Sequence, residues 1–215
     1  SLSGQYDFAN VNGPGLSGAF AMRLQEGHSL FSYYLLQFDG YDGAGQPIIS
    51  EKKSFVGKSA LPNLTGGLST NVSYKRFTMS AYFNGQFGHY IYNNTANAFF
   101  TAGAFNTTRN VLPETLTSGE ALGASAAAST RFLEKGDFVR LQNLSLAYDM
   151  PLSGEGVFKS MVFSVTGQNL WLSTDYSGLD PEVSSATGGN LPSIGMDYGA
   201  YPNPTTITFG INAKF

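Results

Sequence analysis

The side chains that could carry out chemistry are few and widely spaced in this sequence. The two histidines, His28 and His89, lie far apart, and neither has the His-x-x-His or His-Glu-x-x-His spacing of a metal site. The chain has no cysteine, which leaves it without a thiol nucleophile. Asp180 and Glu182 stand on alternate residues, where carboxylates are more often solvated than paired as a general acid and base. We therefore predict no enzyme activity, no metal site and no cofactor.

The charge pattern argues against two further classes of ligand. The acidic segment at residues 39–43 lacks the regular ligand spacing of a calcium-binding loop, so it predicts a turn instead. The net charge is -3 and the isoelectric point is about 5.3, with no run of basic residues that could release counterions from a nucleic acid. We do not expect a nucleic acid as a partner.

Aromatic residues near the last long loop are the better candidates for ligand contact. They are Trp171, Tyr176, Tyr198 and Tyr201. Each offers a large apolar face with a polar tip, which suits stacking on a sugar ring or binding a peptide. The alternative is a belt at a membrane interface or a packed loop cap, and the position of Trp171 at the outer end of its predicted strand fits such a belt. Both interpretations stay open from the residues alone.

Composition narrows the fold class to two choices. Only 13% of the 215 residues are charged, against about 25% in a typical soluble domain, while 14% are aromatic and 26 are glycine. No stretch approaches the roughly 18 consecutive apolar residues of a membrane-spanning helix. The mean hydropathy of -0.10 is compatible with a membrane barrel, because only every second side chain of a barrel strand meets lipid. A soluble β-sandwich and a transmembrane β-barrel remain.

The last eleven residues are the clearest strand. One side carries Thr205, Ile207, Phe209, Ile211, Ala213 and Phe215, and the other carries Thr206, Thr208, Gly210, Asn212 and Lys214. The length matches the roughly 9–11 residues of a strand that crosses a membrane. A strand of this kind ending in phenylalanine resembles the sorting signal of outer-membrane barrels, and we assign Phe209, Ile211 and Phe215 to that signal. A half-buried strand in a soluble sandwich would show the same alternation.

Several other segments alternate in the same way. Clear examples lie at residues 77–84, 143–148 and 161–168, a weaker one at 66–75, and the least regular at 19–25 and 30–39. The connections differ in length: Lys75-Arg76 is a tight turn and 151–159 is short, whereas 93–132 and 175–203 are long. Short turns at one end and long loops at the other are typical of membrane barrels. We predict about seven barrel strands.

About seven strands cannot close a large barrel, and an open edge is not tolerated in lipid. We therefore expect the remaining strands to come from elsewhere in the same protein. The sequence begins at Ser1 with neither a basic nor an apolar leader segment, which for a cell-envelope protein predicts a fragment of a longer precursor.

An ordered set of segments resembles the SusC/RagA family of TonB-dependent outer-membrane transporters. The segments are Phe138 to Pro151, Gly167 to Trp171, Tyr176 to Glu182, Tyr201-Pro202 and the final Phe215, with weaker likeness upstream at Phe55-Val56-Gly57 and Ile91-Tyr92-Asn93. Each segment is weak alone, but their order and spacing are specific, and the likeness covers most of residues 30–215. The plug domain and TonB box of the family have no counterpart in these residues.

The resemblance implies that residues 1–215 are the C-terminal part of an all-β, transmembrane antiparallel barrel of about 22 strands with a plugged lumen in the Gram-negative outer membrane. The family's partners would be a SusD-like surface lipoprotein, the TonB complex acting through the plug, and an oligosaccharide or peptide substrate. The residues Asn84, Gln86, Thr166, Gln168 and Asn212 would face the lumen, where they would line the substrate path or bind the plug. A passive porin or adhesin barrel, and a soluble carbohydrate-binding sandwich, are the alternatives.

Overall fold

The computed structural model describes residues 4–11, 13, 16, 18–108, 110–124, 126–152, 156–184 and 194–215. Its strands are β1 (Tyr6–Asn10), β2 (Phe20–Leu24), β3 (Ser32–Leu35), β4 (Phe38–Tyr41), β5 (Pro47–Ile49), β6 (Ser54–Ser59), β7 (Leu64–Tyr74), β8 (Phe77–Phe87), β9 (Tyr90–Asn93), β10 (Leu133–Lys135), β11 (Phe138–Asp149), β12 (Ser160–Thr174), β13 (Met196–Asp197) and β14 (Thr206–Lys214). The helical segments are α1 (Asn94–Phe99) and three 3-10 helices at Ala102–Thr107, Pro113–Leu116 and Thr130–Phe132. Within these described ranges, no helix has the length and apolar character needed to cross a membrane.

The chain divides into two compact units. The first, which we call the mixed unit, comprises Ser1–Asn63, Gly88–Gly136 and Tyr176–Pro202. The second, the sheet unit, comprises Leu64–Phe87, Asp137–Asp175 and Asn203–Phe215. The sheet unit thus contains the most regular of the predicted strands, and the mixed unit contains most of the two long predicted loops.

The sheet unit is one antiparallel sheet of five long strands in the order β14-β12-β11-β8-β7. Strand lengths run from 9 to 15 residues. Lys75, at φ 55°, and Arg76 form the tight turn between β7 and β8, as the sequence predicts. Asp149 donates its backbone N–H to the Arg76 carbonyl at 2.8 Å, which ties the end of β11 to this turn.

Cross-strand register separates the side chains of the sheet into two faces, because residues directly opposite each other in an antiparallel pair point the same way. One complete row consists of Val72, Met79, Leu146, Val165 and Phe209. The neighbouring row on the same face consists of Tyr74, Phe77, Tyr148, Phe163 and Ile211. The opposite face carries the row Asn71, Ser80, Ser145, Thr166 and Thr208. We call the first the apolar face and the second the polar face.

A bulge interrupts the register of β11 and β12 without mixing the two faces. On both sides of β11 the pairing shifts between Leu141 and Asn143. Asn169 on β12 adopts φ 53°, a left-handed conformation that asparagine tolerates better than most residues. Beyond the bulge Leu141 pairs with Phe83 and Trp171, so the apolar row continues.

The mixed unit contains three smaller sheets, β1-β2-β3-β6, β10-β9-β13 and β4-β5. The weakly alternating segments at 19–25 and 30–39 do form strands, but they belong to these smaller sheets. Five of the strands therefore make the long sheet, against about seven predicted. The long segments at 93–132 and 175–203 are also less irregular than expected. They include α1, the 3-10 helices and β13, and Asn93 caps α1 by accepting the Ala96 N–H at 2.9 Å.

The mixed unit has its own core, in which Met22, Tyr33, Leu35, Tyr92 and Met196 are fully buried. The Tyr33 hydroxyl lies 2.9 Å from the Tyr90 carbonyl and 2.7 Å from the Gly195 carbonyl. Burial raises the pKa of Tyr33 well above its ordinary value. Gly195 has φ +72°, and a Cβ there would lie 2.5 Å from Ala60 Cβ, so only glycine fits at this close approach.

Candidate functional site

The polar face of the sheet unit is lined mainly by hydroxyl and amide side chains. Ser145 and Thr166 lie opposite each other with their hydroxyl oxygens 3.0 Å apart. Next to the turn that joins β7 and β8, the hydroxyl oxygens of Ser73 and Thr78 lie 3.1 Å apart. Cross-strand hydroxyl pairs of this kind stabilise a sheet and present both donors and acceptors to whatever lies over it.

All five residues predicted to face a lumen fall on this polar face by register. Asn84 pairs with Arg140, Gln86 with Phe138, Thr166 with Ser145, Gln168 with Asn143, and Asn212 with Val162. Among the described residues, the side-chain oxygens of Asn84 and Asn143 are buried and accept no hydrogen bond. Buried acceptors of this kind are usually paired in the complete structure, so this face suits contact with a ligand or with another protein segment.

A depression of about 450 Å³ on the sheet unit is lined by Ser69, Asn71, Ser80, Tyr82 and Asn143, together with Thr70 and Ala81. Tyr82 lies across Gly67, where a Cβ would stand 3.0 Å from the tyrosine oxygen. The depression therefore combines one aromatic ring with hydroxyl and amide groups. It can hold a polar ligand or a polar segment of the protein.

The apolar face leaves large side chains exposed in this chain. Phe209, which ends an apolar row on the edge strand β14, is 81% exposed. Ile211 beside it and Trp171 at the far end of β12 are also exposed. Phe215 packs against Phe158 with a ring-centroid distance of 5.1 Å and an interplanar angle of 38°. A continuous face of this size is rare on soluble proteins and marks a surface that contacts lipid or another protein.

The mixed unit contains a cavity of about 390 Å³. Its apolar wall is formed by Phe100, Leu112, Leu179, Ala200 and Tyr201. Its polar lining is formed by Asn93, Thr95, Ser177 and Asp197. Since α1, β13 and the loop after Tyr176 supply these residues, the cavity depends on the packing of segments far apart in sequence.

Hydrogen bonds join the polar residues of the cavity to two carboxylates. Ser177 donates its backbone N–H and its hydroxyl to Glu134 at 2.8 Å each. Asn93 donates to Glu134 Oε1 at 3.1 Å. Thr95 donates its hydroxyl to Asp197 Oδ1 at 2.9 Å. The network holds β9, α1, β10 and β13 in place around the cavity.

The four aromatic candidates for ligand contact occupy different environments. Tyr176 is only 5% exposed and donates its hydroxyl to Asp197 Oδ2 at 2.7 Å. Burial, with the nearby Asp197 carboxylate, raises the pKa of Tyr176 far above its ordinary value. Its ring is packed inside the unit, which fits the alternative of a packed loop cap. Tyr198 stacks on Phe99 at 5.8 Å, and Tyr201 is 96% exposed beside the cavity.

Sequence reasoning did not identify the polar lining of the cavity. Asn93 and Ser177 are common residue types, and Glu134 and Asp197 are isolated acidic residues in sequence. The capping preference of asparagine ahead of Thr95 was the one local signal available for Asn93. The roles of the others depend on partners 20 or more residues away, such as the 102-residue separation of Thr95 and Asp197.

The turn between β4 and β5 lies at residues 42–46, so it overlaps the predicted segment 39–43 only at its end, and residues 39–41 belong to β4. Asp42 accepts the backbone N–H groups of Ala44 and Gln46 at 2.9 and 2.8 Å through one side-chain oxygen. The carboxylate therefore stabilises the turn itself, as aspartate commonly does.

No protein-family model matches the chain. Among curated proteins, it is 35% identical over 189 residues to TonB-dependent receptor P26 of Formosa agariphila, covering 81% of this chain and 19% of the relative. It is 27% identical over 215 residues to TonB-dependent receptor SusC of Bacteroides thetaiotaomicron, covering 88% of this chain and 20% of the relative. The chain thus spans about a fifth of the length of these relatives.

Solved structures agree with these relatives. The structure of the RagAB peptide transporter superposes with a TM-score of 0.73 at 23% identity, covering 98% of this chain and 25% of the matched chain. The RagAB peptide importer in its open-open state gives a TM-score of 0.69 at 25% identity, covering 86% of this chain and 22% of the matched chain. The likeness to the RagAB structure at 23% identity shows the fold. The relationship to TonB-dependent receptors comes from the curated relatives. The chain is homologous to about a fifth of the length of TonB-dependent receptors, among them SusC.

Proposed function

We propose that residues 1–215 form the C-terminal part of the barrel wall of an outer-membrane, TonB-dependent nutrient importer. The apolar face of the sheet unit contacts lipid, and the polar face lines the lumen. The mixed unit is built from the connections that lie outside the membrane. The rest of the wall and the plug belong to the same receptor, and the chain has no catalytic role.

The observation that carries this proposal is the segregation of side chains across five strands. The row from Val72 to Phe209 is apolar in every strand, and the opposite row from Asn71 to Thr208 is polar in every strand. A lipid-facing apolar set and a lumen-facing polar set are what a transmembrane barrel requires. The outer edges of β7 and β14 have no further strand in the described sheet, so further strands of the receptor would complete the wall.

The partners and cargo follow from the family. A SusD-like surface lipoprotein would work with the receptor, and the TonB complex would act through the plug. The substrate would be an oligosaccharide or a peptide, and the similar RagAB structures are those of a peptide transporter. The exposed Tyr201 remains the most accessible of the four aromatic residues proposed for ligand contact.

The proposal can be tested by scanning single cysteines along β14 in the full-length receptor, in a background without other cysteines. The positions are Ile207, Phe209 and Ile211 on one face, and Thr206, Thr208 and Asn212 on the other. We expect a fluorophore at the first three positions to be quenched by brominated lipids, and a fluorophore at the last three to be unaffected. Uniform quenching, or none, would contradict the assignment of faces.

TonB dependence distinguishes an importer from a passive porin. Uptake of the cognate nutrient should stop when TonB is deleted, while a diffusion pore would continue to admit it. The same strain should still carry the receptor in its outer membrane, as checked by fractionation.

A further inference from the structure

The cavity of the mixed unit has the size and the lining of a small-molecule pocket. Its volume of about 390 Å³ lies near the lower end of the roughly 300–1,000 Å³ of small-molecule pockets. Such pockets are mostly apolar with a few placed polar groups, as this one is. The size suits one large side chain or a similar group and is too small for an extended oligomer.

The polar groups of the cavity are already engaged with one another. Both oxygens of Asp197 accept hydrogen bonds, from Thr95 at 2.9 Å and from Tyr176 at 2.7 Å. Asn93 and Ser177 donate to Glu134 at 3.1 and 2.8 Å. A sugar ring buried here would have to compete for these groups, and each of its hydroxyls left without a partner would weaken binding.

The wall of the cavity favours an apolar guest. Phe100, Leu112 and Ala200 line it, and Leu179 and Tyr201 stand exposed beside them. The carboxylates of Asp197, in the lining, and of Glu134, bonded to the lining residues Asn93 and Ser177, would repel an anionic group. The guest that suits this lining is an uncharged aromatic or branched aliphatic group.

A peptide ligand is favoured over a large protein partner. The exposed apolar residues of the cavity are Leu179 and Tyr201, and even a large aromatic side chain buries only about 150–250 Å². A stable protein interface needs about 800 Å² from each partner. A short peptide can instead place one side chain in the cavity while its backbone stays outside.

We propose that this cavity binds one aromatic or branched aliphatic side chain of a peptide ligand. The inference rests on the proposed importer function for its physiological role, and it selects peptides over neutral oligosaccharides as the ligand at this site. Leu179 and Tyr201 are the exposed apolar residues of its lining, and the hydrogen-bond network joins the strands and the helix that supply the polar residues.

The test uses the purified full-length receptor in detergent, with three probes: the pentapeptides Ala-Ala-Phe-Ala-Ala and Ala-Ala-Ala-Ala-Ala, and maltohexaose. Burying a phenylalanine side chain should make the first peptide bind roughly 10- to 100-fold more tightly than the second. Ala200→Phe fills the cavity and should abolish this preference. Leu179→Ala should reduce it, whereas Leu116→Ala should not, because Leu116 is similarly exposed but lies outside the cavity lining.

Each result decides the proposal. Equal affinity for the two peptides overturns it, as does a phenylalanine preference that survives Ala200→Phe in a variant that keeps normal protease resistance. Maltohexaose binding that the cavity variants weaken would make this a sugar site. Loss of the copurifying lipoprotein in those variants, without any peptide preference in the unaltered receptor, would make it a partner site. Because binding is measured without TonB, failure here is distinct from failure of the importer proposal, which would appear as uptake independent of TonB.

Discussion

Replacement of Phe209 by lysine tests the lipid-facing assignment most directly. Phe209 is the fourth of nine residues in β14, and its row across the sheet is apolar from edge to edge. Lysine on the lipid face of a barrel costs about 2–4 kcal/mol at the bilayer midplane and about 0–1 kcal/mol near an interface. The position near the middle of the strand predicts the larger cost.

The comparison is made against Phe209→Ala, so that loss of the ring is separated from the charge. Ala213→Lys lies on the same face near the end of β14 and should cost about 0–1 kcal/mol. Thr208→Lys lies at similar depth on the polar face and should also cost less than about 1 kcal/mol.

The assay is denaturant unfolding of the full-length receptor folded into lipid vesicles, with the free-energy change taken from the shift in midpoint and the slope. The reasoning is refuted if lysine at 209 costs no more than lysine at 208. It is also refuted if the cost at 213 equals the cost at 209, because a membrane-depth effect must fall toward the interface.

Three further changes test assembly and the mixed unit. Phe215→Ser should lower the amount of receptor in the outer membrane, measured by fractionation, if the final residue belongs to the assembly signal. Arg131→Met should destabilise the mixed unit by about 3–5 kcal/mol, measured by protease susceptibility, because Glu120 is only 4% exposed and would lose its bidentate partner at 2.7 and 2.8 Å. Tyr176→Phe should cost about 1.5–3 kcal/mol, because Asp197 loses a hydrogen-bond donor. Folding raises the pKa of Tyr176, so the contribution of its neutral hydroxyl to the free energy of unfolding is present below the unfolded pKa near 10 and is lost at higher pH. The Tyr176→Phe variant should lack this loss of stability at alkaline pH.

Controls separate these effects from simple damage. Phe158→Ser removes the ring that packs against Phe215, so an equal loss of assembly in both variants would indicate packing instead of a signal. Adding Glu120→Gln to Arg131→Met should recover part of the stability, since the buried charge is then removed. If the double variant is as unstable as the single one, the ion pair is not the cause.

The regular strands of the sheet were predictable because their signal is local. Alternation in β8, β12 and β14 depends only on which side chains meet each face, and the turn at Lys75 depends on two residues. The low content of charged residues and the high content of aromatic residues, together with the alternation, indicated a membrane barrel. These features need no knowledge of distant contacts.

The mixed unit was not predictable in the same way, because its order comes from distant contacts. Tyr33 reaches the carbonyls of Tyr90 and Gly195, which are 57 and 162 residues away. The segments that supply these partners have little periodicity, so they resemble loops in sequence. Their backbone order comes from burial in a shared core.

Cross-strand register places Trp171 on the apolar face, although the strand next to it changes its alternation. On β11 the apolar face is carried by even-numbered residues from Leu144 onward, and by odd-numbered residues at Leu141 and before. Simple alternation therefore fails within β11, whereas on β12 the apolar face is carried by odd-numbered residues on both sides of Asn169, from Phe163 to Trp171. Trp171 pairs with Leu141, which pairs with Phe83, so the register agrees with the alternation on β12. An aromatic residue on the apolar face near the end of a long strand, as Trp171 is in β12, has the position of an interfacial belt. We therefore propose that Trp171 belongs to such a belt and that, of the four aromatic residues, Tyr201 is the one whose removal should most affect binding.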